Sequence, residues 1–324
     1  MKNMNWILCV VFIATTGLAA GKYGTAVTHG GKAKLSFHVL DDDGQPVDSA
    51  TARVAFYFDP KKQELIIGKT DTNGLCTVEG LTYMDVSYQI EKDGYYRTEG
   101  RYVFGMVEPP VINNCWQPWD PTNTVVLKKI KNPVSMYVKR VEVDFPIEDK
   151  PVGFDLEKGD WVSPYGKGTK SDFILTFSRT PKTSEGYRAT LKLDFSNQKD
   201  GIQKINSEPV SWMSLRLPHL APELGYNTNS VYEMGYKPEG GHYGFENPDG
   251  DVNYFFRVRT VLNEQGEIKE SSYGKIHGPI HVAGSGRDKA RIIFQYYFNP
   301  TVNDRNLEFD PSKNLFGGRD RFAP

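Results

Sequence analysis

The sequence predicts an all-β protein built as two antiparallel β-sandwich domains. Three observations predict it. Apolar and polar residues alternate with period two in five separate stretches, the pattern of strands with one buried face. Among 324 residues, 31 Gly and 20 Pro break the chain so often that no window free of both exceeds fifteen residues after residue 20. No stretch in that part repeats apolar residues three and four apart, as an amphipathic helix would.

Residues 1–20 are expected to be a signal peptide. Lys2 precedes the apolar run Trp6–Ala14, and the small residues Thr15-Thr-Gly-Leu-Ala-Ala20 follow. Nine helical residues rise about 14 Å, short of a ~30 Å hydrocarbon layer. An uncleaved anchor is the alternative, and no later segment is long and apolar enough to span. Cys9 lies inside the apolar run, which speaks against a lipoprotein. Cleavage leaves 38 basic against 40 acidic residues. Together with pI ≈ 6.6 and mean hydropathy −0.50, that balance and the lack of a Lys/Arg block argue against nucleic-acid binding. The mature chain then keeps Cys76 and Cys115, an even pair for an oxidising compartment. A bridge between them would stabilise the fold by about 4 kcal/mol on the loop-entropy model. Two separate thiols are the alternative, because Cys76 sits where a strand points inward.

The strands follow in order. Ala33, Leu35, Phe37 and Val39 share one face, with Lys34, Ser36 and His38 on the other. Ala52, Val54, Phe56 and Phe58 repeat the scheme, as do Val86, Tyr88 and Ile90. Later come Tyr187, Ala189, Leu191, Leu193 and Phe195, then Ala290, Ile292, Phe294, Tyr296 and Phe298. They group into a first domain at 32–130, a Pro-bearing linker at 131–135, a larger domain at 136–310 and a tail at 311–324.

Asp43-Gly-Gln-Pro-Val-Asp-Ser-Ala50, Thr70-Asp-Thr-Asn-Gly74 and Tyr88-Gln-Ile-Glu-Lys-Asp-Gly-Tyr95 resemble the carboxypeptidase-regulatory-like (transthyretin-like) domain. That resemblance implies an immunoglobulin-like sandwich, in a family of mostly non-catalytic accessory modules of exported proteins. Gly44 and Pro46 suit a turn between the first two strands. Asn73-Gly74 suits the positive-φ positions of a tight hairpin. Tyr254-Phe-Phe-Arg-Val-Arg-Thr260 with Asn263–Gly266 resembles the last hairpin of a fibronectin type III domain, so the second domain is expected to be fibronectin-like or a jelly roll. Gly159–Gly166 and Asn306–Asp310 are similar to segments of uncharacterised exported bacterial proteins.

Catalytic motifs are absent from the text. Gly284-Ser-Gly286 reads as a loop, not a nucleophile elbow, and no phosphate loop or dinucleotide fingerprint occurs. His277-Gly-Pro-Ile-His281 has a helical chelate spacing, but Gly278-Pro279 opposes a helix, and on a regular strand the rings stand about 13 Å apart. His29, His38, His219 and His242 show no partner spacing. No metal or other cofactor is expected. Calcium is the one candidate ion, on Asp41-Asp-Asp43, Asp71 or Asp249-Gly-Asp251, where turn capping is the plainer use of the carboxylates.

Aromatics supply the candidate binding residues: Trp116 and Trp119 in a Pro-bounded stretch, Trp161 and Tyr165 in a Gly-rich one. Exposed, they could stack on a sugar or anchor a protein partner; burial beneath the loops is the alternative. The expected function is a non-catalytic binding or structural role in the periplasm or at the cell surface, with a protein or glycan of the envelope as partner. A carbohydrate-binding accessory protein is the second reading. A hydrolase or lyase with its site in the second domain is the third.

Overall fold

The computed structural model describes residues 20–59, 62–180, 186–206, 217–236, 252–283 and 289–317. The signal-peptide reading of 1–19, His242, Asp249–Asp251 and Gly284–Gly286 therefore lie outside the described residues. The protein is all-β, with one helix among the described residues, α1 (Ala20–His29). The sequence reading expected none there. Only Ala26 of its described side chains is buried, so no apolar stripe betrays it. Its stop is legible, because Gly30 follows with φ 83°, the left-handed cap that glycine adopts without strain. None of the described helices is long and apolar enough to cross a membrane. The chain divides into two compact units, 1–129 and 130–324.

Unit 1 is a sandwich of two sheets. In the first, β1 (Gly31–Asp41) pairs antiparallel with β4 (Leu75–Thr82) and parallel with β9 (Thr122–Leu127). The short hairpin β7 (Val111–Ile112) and β8 (Cys115–Trp116) extends that sheet. The second sheet runs β3 (Lys62–Lys69), β2 (Thr51–Asp59), β5 (Asp85–Glu91), β6 (Thr98–Val103). Ala33, Leu35, Phe37 and Val39 meet Ala52, Val54, Phe56, Val86 and Ile90 in one core, all fully buried. Phe58, expected inward, is only half-buried.

Asn73-Gly74 does not make the expected hairpin. β3 and β4 belong to different sheets, and the turn carries the chain from one to the other. The Asp71 carboxylate accepts hydrogen bonds from Asn73 N and Leu75 N, both 2.9 Å. Only Gly74 takes positive φ, 73°. The carboxyl of Asp71 is held below its ordinary value, chiefly by the Leu75 amide.

Unit 2 stacks a five-stranded sheet on a six-stranded one. The first runs β12 (Asp160–Trp161), β11 (Val152–Asp155), β13 (Phe173–Arg179), β14 (Tyr187–Asp194), β16 (Asn229–Tyr236). The second runs β15 (Gly201–Asn206), β17 (Val252–Leu262), β18 (Ile268–Ala283), β19 (Arg291–Asn299), β10 (Val134–Asp144), β20 (Phe309–Asn314). Pairing is antiparallel except for β10 with β20, so both units mix in parallel pairs. β20 occupies part of the stretch read as a tail. Aromatic edges fill the interlayer: Phe173 meets Phe256 at 5.1 Å and 83°, and Phe154 meets Phe294 at 5.6 Å and 67°, geometries that favour ring quadrupoles.

The six-stranded sheet departs from the one-buried-face expectation. On its far side Phe255, Tyr273, Tyr297, Met136 and Val138 form a second core with Leu217, Ala221, Leu307 and Phe309. Ala221 N to Arg305 O (2.9 Å) and Leu307 N to His219 O (2.6 Å) join two loops into its cover. Tyr254-Phe-Phe-Arg-Val thus reads as a continuous run because both faces are covered.

The disulfide expectation is corrected: Cys76 and Cys115 are free. Cys76 lies opposite Phe37 on one side of β1, Cys115 opposite Lys32 on the other. Two strand spacings and five residues separate their Cα atoms by roughly 19 Å, against a limit near 7 Å for a bridge. Burial raises the Cys76 thiol's pKa, which further lowers its reactivity. We expect unchanged unfolding midpoints with and without reductant, and both thiols alkylated in denaturant. An intact mass short by two hydrogens would contradict this.

Candidate recognition loops

The four candidate aromatics fall into two pairs, and each pair splits the same way. In unit 1, Asn113 and Asn114 take φ 51° and 60°, the two left-handed positions of a tight hairpin turn between β7 and β8. That hairpin pairs Val111 with Trp116 and Ile112 with Cys115. Alternation then sends Val111 and Trp116 inward. Trp116 is 2% exposed and its indole N–H donates to Thr82 O at 2.8 Å. The expectation of an exposed Trp116 is therefore overturned. It is the anchor of its loop.

Trp119 behaves differently, at 39% exposure. Asp120 beside it takes φ 57°, accepts from Ser36 Oγ at 2.7 Å and pairs with Lys34 Nζ at 3.0 Å. Burial pushes the Asp120 carboxyl up, but Ser36 and Lys34 outweigh it and hold the group low. Gly105 N to Gln117 O (2.8 Å), Gln117 N to Pro110 O (2.9 Å) and Phe104 N to Met84 O (2.8 Å) lash the rest of the segment down. On this fixed frame Met106, 79% exposed, and Val107 face solvent with Trp119.

In unit 2 the anchor is Trp161, 4% exposed. It packs on Phe154 and Phe145, both at 5.4 Å, and donates its indole N–H to Asp144 O at 3.1 Å. Its expected exposure is likewise overturned, because β12 points it into the interlayer core. Tyr165 is 45% exposed. Its loop is closed by carboxylates acting on backbone amides. Asp160 accepts from Trp161 N and Lys167 N (2.8 and 2.9 Å). Buried Asp155 accepts from Glu157 N, Lys158 N, Thr169 N and Lys170 N (2.9–3.1 Å). Burial would raise the Asp155 pKa; those four amides overcome it and lower it.

Sequence reasoning missed the residue that completes this loop, Arg259. It sits in β17 at an irregularity of the β17–β18 register, with φ 60°. Its guanidinium makes a two-pronged contact with Asp172 (2.7 and 2.8 Å), bonds Glu157, and lies 3.9 Å from Asp155. Asp200 holds the irregularity open by accepting from Arg259 N (3.1 Å) and Thr260 N (2.8 Å). The Arg259-Thr260 step within an aromatic strand is a faint sequence signal; the carboxylate partners come from distant segments.

The remaining candidates do not converge. His277 and His281 lie on β18 with a register break between them; His277 stands edge-on to Tyr297 at 5.2 Å, while His281 is exposed. His219 Nδ1 lies 3.6 Å from Glu308 Oε2. Asp41 pairs with Lys129 at 2.6 Å and accepts from Asp43 N and Gln45 N, with Lys129 the main cause of its lowered pKa. Among the described residues no group of three or more His, Cys, Asp or Glu is placed to hold a metal ion.

No family model and no curated protein matches the sequence, so the resemblances to the carboxypeptidase-regulatory-like and fibronectin type III domains stand on the quoted residues alone. Solved structures give partial likenesses. A 3-chlorocatechol 1,2-dioxygenase from Rhodococcus opacus 1CP is 14% identical with TM-score 0.25, over 31% of this chain and 61% of that one. A hydroxyquinol 1,2-dioxygenase from Pseudomonas putida DLL-E4 is 15% identical with TM-score 0.24, over 33% and 59%. The chain thus spans about three fifths of the length of these enzymes. A Bacteroides uniformis ATCC 8492 protein, described as a candidate carbohydrate-binding protein, is 12% identical with TM-score 0.18, over 84% and 98%. At such scores the likenesses say nothing of this chain's activity.

Proposed function

We propose that the chain is an exported, non-catalytic binding protein of two sandwich domains, whose contacts are made by Trp119 with Met106 and Val107 in unit 1 and by Tyr165 in unit 2. One observation carries the reading. In each loop a tryptophan is buried and tied by its indole N–H to a backbone carbonyl, so that a neighbouring aromatic is fixed outside. Fixing the ring in advance removes much of the ordering cost of binding.

The exposed apolar side chains of Met106 and Val107 in the same unit favour a protein partner for Trp119. Tyr165 has Ser163, Lys167 and Thr169 as near neighbours in sequence, residue types that hydrogen-bond sugars; this favours the glycan reading for unit 2. Export rests on the leader-like residues 1–20.

Glycan arrays and immobilised cell-envelope extracts, probed with wild type, Trp119→Ala and Tyr165→Ala, test the proposal. Each variant is expected to keep the wild-type unfolding midpoint and to weaken its own interaction by about tenfold or more, the scale of an interface anchor. Equal binding by all three proteins would refute the reading, as would metal-independent turnover of a substrate by the pure protein.

A further inference from the structure

We propose that Arg259 is the positioning residue of the Tyr165 loop: its guanidinium is a built-in cation that gathers the carboxylates at the loop's two ends, and the loop keeps its shape only while that cation is in place. The inference rests on the preceding reading for its functional meaning, since Tyr165 matters only if it meets a ligand. Its structural content is tested separately.

The loop runs from Asp155 to Asp172, and its two ends meet side by side. Leu156 N donates to Asp172 Oδ2 at 2.9 Å, and Thr169 N and Lys170 N donate to Asp155. Three acids of these ends, Asp155, Glu157 and Asp172, surround one guanidinium. Asp155 and Asp172 are buried, and Glu157 also has Lys170 at 3.7 Å. Without a cation, three carboxylates at this spacing repel one another in a poorly solvated site. A planar fork satisfies two of them at fixed angles, which an ammonium cannot do.

The cation is itself held from behind. Arg259 lies over the Phe298 ring at 4.8 Å, and its left-handed backbone is braced by Asp200. Two further ties come from the same sheet, Tyr296 Oη to Leu156 O (2.6 Å) and Lys139 Nζ to Gly159 O (2.8 Å). Each fixes one carbonyl. Arg259 brings positive charge to acids at both ends of the loop.

Hydrogen exchange measured on the full chain tests this, with peptides from 155–172 compared with peptides from β13 and β14. In Arg259→Ala the loop amides are expected to exchange about a hundredfold faster, the scale of stranding a buried charge, with β13 and β14 changing far less. Millimolar guanidinium chloride, well below denaturing levels, should restore loop protection, and sodium chloride at equal concentration should not. Arg259→Lys should recover only part of it. If Arg259→Ala does not fold, Glu157→Gln and Arg259→Lys carry the test, with a smaller, loop-confined acceleration expected. Uniform acceleration across unit 2, or a loop that exchanges as in wild type, would overturn the proposal. Loss of ligand binding in Tyr165→Ala bears on the functional reading alone; an ordered loop with no ligand for Tyr165 would leave the Arg259 role intact and remove its purpose.

Discussion

Replacing Trp116 by Ala is expected to destabilise unit 1 by about 3–5 kcal/mol, while Trp119→Ala, three residues on, stays within about 0.5 kcal/mol of wild type. The first removes the largest side chain of a fully packed core and leaves Thr82 O without its donor. It also removes the ring that shares the unit 1 core with Val111 of β7, so Met106 and Trp119 lose the anchor of the segment that displays them. The second trims a ring already partly in water. Denaturant unfolding of both variants checks the contrast. Equal losses would mean that Trp119 shares the core, and neutral effects in both would mean that the segment folds without an anchor.

Asp155→Ala is expected to cost unit 2 about 3–5 kcal/mol, because four backbone amides and the neighbouring guanidinium lose one buried acceptor. The same group gives a pH dependence with a definite sign. Its folded pKa lies below the unfolded value near 3.9, so its contribution is complete above that value and disappears as pH falls through the folded one. Arg259, Glu157 and Asp172 face it, and Tyr296 is pushed well up by burial first and then by Asp172 and Asp155. Asp200 works the other way: burial raises its pKa, so its stabilisation grows on acidification and offsets part of the loss. Unfolding free energies measured from neutral pH down to about pH 2 should fall below pH 4 in wild type and fall less steeply in Asp155→Asn. Parallel profiles for the two proteins would show that Asp155 carries no linkage.

Much of the fold was legible because a strand with one buried face writes its pattern locally. Ala33 to Val39 alternate in sequence and in the core alike, and Ile292, Phe294, Tyr296 and Phe298 share the interlayer face as read, with Tyr297 buried on the other. The reading failed where burial is decided by distant chain. Phe255 and Tyr273 are covered by loops around Leu217 and Leu307, and nothing near them in sequence announces that cover. Trp116 and Trp161 read as loop residues because Pro and Gly surround them, yet a two-residue strand suffices to turn each inward. The Asn113-Asn114 step carries the hairpin signal for Trp116, masked by the prolines on either side. Cys76 and Cys115 looked like a pair by count alone; the register of β1 sets them apart.

The sequence by itself determined the class of fold, the period of its main strands and the types of residue available for recognition, since these depend on side-chain alternation and backbone preference within a few residues. Tertiary structure alone decided which aromatics face water, that the cysteines stay apart, and that Arg259 meets Asp155, Glu157 and Asp172. Burial and charge pairing depend on which strands become neighbours, and that choice is made over the whole chain.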